Sequence, residues 1–234
     1  MTGTGAVFVT GTDTGVGKTE VAVALLEALA VTGLRVAGMK PIASGCRATA
    51  AGLRNEDAER LLAAGKLALD YREVNPYAFA PPVSPHLAAA EAGTVIDFEF
   101  LRQCFAALAE RADFVVVEGA GGWRAPIDNE RDMADLASTL DLPVLLVVGL
   151  RLGCLNHALL TADAVRQRGR ALVGWIANTL DPAMPGREAN IEYLRYRIGA
   201  PLLGVLPHFG EGARRAGKGY DWLTNPGPLR ELHR

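Results

Sequence analysis

The stretch Gly11-Thr12-Asp13-Thr14-Gly15-Val16-Gly17-Lys18-Thr19 constrains this chain more than any other. It follows the apolar run Ala6-Val7-Phe8-Val9-Thr10 and precedes Glu20-Val21-Ala22-Val23-Ala24-Leu25-Leu26, so the order is strand, glycine-rich turn, helix. A phosphate chain needs that order. Glycines let the backbone turn tightly and bring several N–H groups onto one anion, while the new helix points its positive end there. Lys18 is then expected to reach the terminal phosphates and Thr19 to set its hydroxyl on Mg²⁺. Five residues separate Gly11 from Gly17, one more than in the common G-x-x-x-x-G-K-[ST] pattern. A glycine turn alone would say little. With Gly-Lys-Thr and a helix behind it, it predicts a nucleoside triphosphate site.

The rest of the chain supplies a sheet for that turn. A short β-like run, Leu34 to Lys40, is stopped by Pro41. A helix is expected over 55–64, capped by Asn55 and ended by Gly65. The segment Asn75 to Pro85 is too proline-dense for regular structure and reads as a covering loop. Helical patterns follow at 87–92 and 98–111. Asp113-Phe114-Val115-Val116-Val117-Glu118-Gly119-Ala120-Gly121-Gly122 is a continuous apolar strand that ends at an acid and glycines. Runs at 142–149, 171–178 and 201–207 repeat the strand type, with helices between them near 156–167 and 187–198. Strands buried on both faces and alternating with helices predict an α/β fold, a doubly wound, mostly parallel sheet with phosphate-loop nucleotidase architecture.

A length of 234 residues is most simply one domain, residues 1–234. The net charge of −2 gives no reason to expect nucleic acid or anionic membrane as a partner. No apolar run reaches the roughly 18–20 residues of a membrane span, and no N-terminal targeting pattern is present. Cys46, Cys104 and Cys154 are odd in number and widely spaced. They are expected to be buried free thiols of a cytoplasmic protein. His86, His157 and His208 lack metal-ligand spacing.

Three features are expected to converge at the carboxyl edge of the sheet: the phosphate loop, Lys40 and Glu118. Glu118 is placed as the Mg²⁺-side acid of nucleoside triphosphatases is. Otherwise it is a strand-end acid above a glycine turn. Asp57 is read in the same two ways, since the helix dipole also accounts for an acid in a first turn. Lys40, at a strand end before Ala43-Ser44-Gly45, suits negative charge on a transferring phosphoryl group or a carboxylate-like substrate; otherwise it is a surface lysine.

Gly11 to Thr19, Lys40-Pro-Ile-Ala-Ser-Gly45, Val117-Glu-Gly-Ala-Gly-Gly-Trp123 and Leu152-Gly-Cys-Leu-Asn-His157 together resemble the dethiobiotin synthetase family. The resemblance extends through Asn75-Pro-Tyr77, Ser84-Pro-His86 and Gly174-Trp-Ile-Ala-Asn178, covering about residues 5–209. The longer loop spacing is the family's own. An acid that some members carry at the Gly15 position is absent here. The resemblance implies an ATP- and Mg²⁺-dependent ligase that closes a ureido ring on 7,8-diaminononanoate with CO₂. Lys18, Lys40 and Thr14 would carry the chemistry, with Ser44 near the substrate. Gly15, Val16, Gly17, Lys18, Thr19, Glu20, Asp57, Glu118, Gly119, Ala120 and Gly121 would hold nucleotide. Asn178, Thr179, Pro207, His208 and Phe209 would lie at the base. Thr19, Asp57 and Glu118 would serve the metal.

The family works as a homodimer, so Gly153, Cys154, Leu155 and Asn156 would take the substrate tail across the subunit interface. Past Phe209, Glu211 or Arg214 would replace a family nucleotide contact. Two alternatives stay open: a switch or assembly ATPase on the same loop, and another small-molecule kinase or ligase. The switch class usually has a lysine where this chain has Asp13. Asn178-Thr179-Leu180-Asp181 has the N-x-x-D spacing of guanine-reading loops but no lysine after the asparagine.

Overall fold

The structure, a computed structural model, describes residues 4–208 and Leu223. The expected contacts at Phe209, Glu211 and Arg214 lie outside the described residues. Strand β1 (Gly5–Gly11) leads into α1 (Lys18–Val31) and β2 (Val36–Met39). Short strands β3 (Ile42–Ala43), β4 (Arg47–Thr49) and β5 (Gly52–Arg54) precede α2 (Glu56–Ala64), α3 (Tyr71–Val74) and β6 (Tyr77–Ala78). There follow α4 (Pro85–Glu91), α5 (Phe98–Arg111), β7 (Phe114–Glu118), α6 (Met133–Thr139) and β8 (Val144–Leu150). The order continues with α7 (Cys154–Gln167), β9 (Leu172–Thr179), α8 (Arg187–Arg197) and β10 (Leu202–Leu206).

Six strands form one parallel sheet in the order β10-β9-β8-β1-β7-β2. Both faces are covered, which is why these strands read as unbroken apolar runs. Along β1, Val7 and Val9 pack with Leu25, Leu26 and Leu61 of α1 and α2. Phe8, between them, packs with Leu101, Leu108 and Leu136 of α5 and α6. In β8, Leu145 and Val147 take the first face, while Leu146 and Val148 meet α7 and α8. Each such valine or leucine, fully buried, contributes roughly 1.5–3 kcal/mol of transfer free energy.

The topology sets the site. β1 reaches β2 through α1, but β7 later inserts between them. In register, Val9 lies beside Glu118 and Met39 beside Val117. The carboxyl ends of β1, β7 and β2 are therefore neighbours, bringing the phosphate loop, Glu118 and Lys40 together. β8, β9 and β10 extend the sheet the other way from β1, and open α/β sheets bind ligands at such a reversal.

Three local expectations need correction. The proline-dense segment is not wholly irregular: Tyr77 and Ala78 form β6, parallel to Ile42 and Ala43 of β3. A two-residue strand fits between prolines because Tyr77 and Phe79 keep the N–H groups that bond back to Pro41 and Ala43. Cys104 of α5 is only partly buried, packed against the edge of the core, whereas Cys46 and Cys154 are buried as expected. Helix α6, like α3, falls outside the segments whose patterning predicts a helix. Its signal was reciprocal capping, with Asp132 accepting from the Ala134 and Asp135 N–H groups and Asp135 accepting from that of Asp132.

Candidate active site

The phosphate loop runs from the end of β1 to the start of α1. Gly17, the residue before α1, has φ 89°, a left-handed conformation that glycine adopts without cost. It also faces Asn178 at close range: a Cβ on Gly17 would sit 2.3 Å from Asn178 Nδ2. That amide donates to the Val16 carbonyl at 2.7 Å, so the end of β9 braces the loop from outside. Among the described residues no side chain caps α1, which leaves its first N–H groups open to an anion. Lys18 folds back over the loop and donates to the Asp13 carbonyl at 3.1 Å. The Asp13 carboxylate pairs with Arg151.

Beside the loop lies a buried charged cluster. Lys40 Nζ donates to Glu118 Oε1 at 2.6 Å and to Asp57 Oδ2 at 3.1 Å, with the Gly119 carbonyl at 3.4 Å. The Thr19 hydroxyl donates to the same Glu118 oxygen at 2.9 Å. The second Glu118 oxygen is buried and has no hydrogen-bond partner among the described residues. An unsatisfied buried carboxylate oxygen is costly.

Burial pushes Lys18 down, the Lys40 charge adds to this, and its pKa falls to about 8. Lys40 is buried more completely, yet Glu118 and Asp57 offset the desolvation and hold it above the ordinary lysine value. Burial raises the Asp57 carboxyl, but Lys40 and the Thr19 hydroxyl outweigh it and leave it below the ordinary carboxylate value. Lys40, in contact with two carboxylates, thus keeps its proton more firmly than Lys18, which among the described residues forms no ion pair.

Lys40 is held through its backbone as well. Its N–H donates to the Val74 carbonyl at 2.7 Å, and its own carbonyl accepts from Asn75 Nδ2 at 2.7 Å. Asn75 is buried; its Oδ1 accepts from the Tyr71 hydroxyl, which in turn accepts from the Asn55 N–H at the start of α2. One chain of hydrogen bonds therefore fixes Lys40 relative to the helix that carries Asp57.

A cleft of about 470 Å³ opens over these groups. A family model described as an AAA domain matches residues 5–211. The ATP-dependent dethiobiotin synthetase of Pseudomonas aeruginosa (strain LESB58) is 53% identical over 212 residues, 90% of this chain and 93% of that protein. The chain belongs to the dethiobiotin synthetase family. The synthetases of Xanthomonas axonopodis pv. citri and Aromatoleum aromaticum are 53% and 52% identical, over 86% and 89% of this chain and 90% and 92% of theirs. Among solved structures, MinD in the MinC:MinD cell division complex of Aquifex aeolicus aligns with TM-score 0.63 at 18% identity, covering 97% of this chain and 95% of that one. At that identity the likeness is one of fold, and the fold is that of the phosphate-loop nucleotidases.

Measured against the sites expected of a dethiobiotin synthetase, the cleft is lined by Thr14, Gly15, Gly17, Lys18, Thr19, Glu20, Lys40, Ser44, Asp57, Glu118, Ala120, Gly121 and Asn178. Val16 and Gly119 lie just behind, each turning a carbonyl to a site side chain. Thr179 is buried next to Asn178. Pro207 and His208 are exposed beyond β10 and outside the cleft lining. Gly153, Cys154, Leu155 and Asn156, at the start of α7, are not among the residues lining the cleft; Gly153 has φ 94°, Cys154 is buried and Asn156 is exposed. Sequence reasoning missed the functional placement of Arg60, which lines the cleft, and of Tyr71. For Arg60 the signal was its position three residues after Asp57 on one helix.

Proposed function

We infer that this dethiobiotin synthetase family member forms dethiobiotin in an ATP-dependent reaction, taking 7,8-diaminononanoate and CO₂ as its other substrates. The observation that carries the reading is the convergence of Lys40 and Thr19 on Glu118, with Asp57 on the same Lys40, beside the phosphate loop. One amine takes up CO₂ to give a carbamate, and ATP phosphorylates it to a carbamic–phosphoric anhydride. The second amine then attacks the carbonyl, the ureido ring closes and phosphate leaves. Holding both amines on one chain makes closure effectively unimolecular.

The residues divide the work. The loop N–H groups and Lys18 bind the phosphates, and Asn178 keeps the loop in shape. The lone buried oxygen of Glu118, with Asp57 and the Thr19 hydroxyl, fits Mg²⁺, whose remaining ligands would be phosphate oxygens and water. When bound there, Mg²⁺ neutralises charge on the terminal phosphates. Lys40 shares those carboxylates and, with them serving a cation, turns its charge to the carbamate and the transferring phosphoryl group. Thr14 and Ser44 flank the substrate.

The proposed assembly is a homodimer in which Gly153 to Asn156 receive the substrate carboxylate of the neighbour at the start of α7. Leu152, Leu160 and Tyr196, exposed by 96%, 61% and 86% on and around α7 and α8, support a covered face there. No helix among the described residues is long and apolar enough to cross a membrane.

The test is ADP release with ATP, Mg²⁺, bicarbonate and diaminononanoate, leaving out each in turn. Release that needs all four supports the synthetase. Release indifferent to diamine and bicarbonate points to a switch ATPase instead.

A further inference from the structure

Arg60 lines the same cleft but belongs to neither the phosphate loop nor the Lys40 cluster. It lies on α2, one turn after Asp57, so both side chains share a face of that helix. Its Nη1 is 2.7 Å from Glu20 Oε1, and the two side chains are only 21% and 25% exposed. Glu20 directly follows Thr19 in the first turn of α1. The pair therefore bridges α2 and the helix whose N-terminus carries the phosphate loop.

A carboxylate at Glu20 gains from the dipole of α1 but repels phosphates held at the same helix end. Lys18, Lys40 and Arg60 line the cleft together with Glu20, Asp57 and Glu118; Lys40 is in contact with Asp57 and Glu118, and Arg60 with Glu20. A guanidinium carries five N–H donors in a planar fork, so one edge can rest on Glu20 while another meets an anion. Burial disfavours its charge, yet Glu20 more than offsets this and keeps Arg60 charged.

We propose that Arg60 is a further nucleotide-binding residue, which sets a guanidinium beside Glu20 against the phosphate chain of a nucleoside di- or triphosphate from the α2 side. This rests on the reading of the loop as a nucleotide site.

The experiment is calorimetric titration of ATP and of ADP, with Mg²⁺ and without diamine. The proteins are the parent, Arg60→Gln, Arg60→Lys and the double variant Glu20→Gln/Arg60→Gln, each checked for a cooperative thermal transition. Loss of a charge-assisted phosphate contact should weaken both nucleotides about 10- to 100-fold in Arg60→Gln. The double variant should remain as weak to within a few-fold, because the missing contact is with the ligand. Arg60→Lys preserves the charge beside Glu20 but lacks the fork, and should still bind at least about 3-fold more weakly than the parent. Parent-like affinity in either single variant overturns the proposal. Recovery in the double variant also overturns it, since Arg60 would then only be neutralising Glu20. A parent that binds neither nucleotide removes the nucleotide reading itself, whereas normal parent binding with an indifferent Arg60→Gln removes this inference alone.

Discussion

Lys40 Nζ lies 2.6 Å from Glu118 Oε1, although the two residues are 78 positions apart and terminate different strands. Both are almost wholly buried, with 6% and 1% of their side chains exposed. Removing one partner of such a pair leaves the other as an uncompensated buried charge, which typically costs about 3–5 kcal/mol. The fold supports the pair through Asp57, Thr19 and the backbone bonds around Lys40.

Glu118→Gln should lower phosphoryl transfer by about 10²–10³-fold while nucleotide affinity largely persists. Single-turnover ADP formation with saturating diamine and bicarbonate checks this. Undiminished transfer at ordinary Mg²⁺ would take Glu118 out of the metal site.

Lys40→Gln should depress kcat strongly and leave ATP affinity without diamine within a few-fold of the parent, since the charge acts on the transition state. Lys18→Gln should weaken ATP binding with or without diamine. Equal losses of affinity in the two variants would make Lys40 a second nucleotide clamp.

ATP affinity should decline as pH rises through about 8, where Lys18 gives up its proton. Binding should take up a proton in that range, seen by calorimetry in buffers of different ionisation enthalpy. The effect on stability has the opposite sign. Between about 8 and the ordinary value of 10.5 the unfolded chain holds a proton that folded Lys18 has released, so this residue's contribution to stability rises with pH. An affinity flat from pH 7 to 9.5 would contradict the low pKa.

Gly17→Ala should abolish ATP binding with little loss of global stability. The added methyl would meet Asn178 Nδ2 at 2.3 Å on a backbone at φ 89°. The loop, rather than the buried sheet, is what must move. Parent-like affinity in this variant would show that the Asn178 brace yields freely.

Asn75→Ala would strip the Lys40 and Tyr77 carbonyls of their amide partner. A loss of about 2–3 kcal/mol in urea unfolding is expected, together with a lower kcat as Lys40 loses its support. A neutral result would mean that the Tyr71–Asn75 link does not fix Lys40.

Much of this protein was legible in the chain alone. The phosphate loop, the doubly covered strands and the order of strands and helices follow from local chemistry: a turn needing glycine, a helix start left open to an anion, and apolar runs too regular to face water. Helix α5 falls at 98–111 as its pattern indicated, and Asn55 caps α2 as expected. Those features depend on residues a few positions apart, so the sequence reports them directly. Tertiary structure decided the rest. Only the insertion of β7 between β1 and β2 sets Glu118 beside Lys40 and Thr19. Only the packing of α2 on α1 brings Arg60 to Glu20, and only its packing on β2 brings Asp57 to Lys40. Whether Asp57 answers to its own helix dipole or to a lysine from another strand depends on distance in space. Burial and charge act across that distance, and no spacing along the chain encodes it.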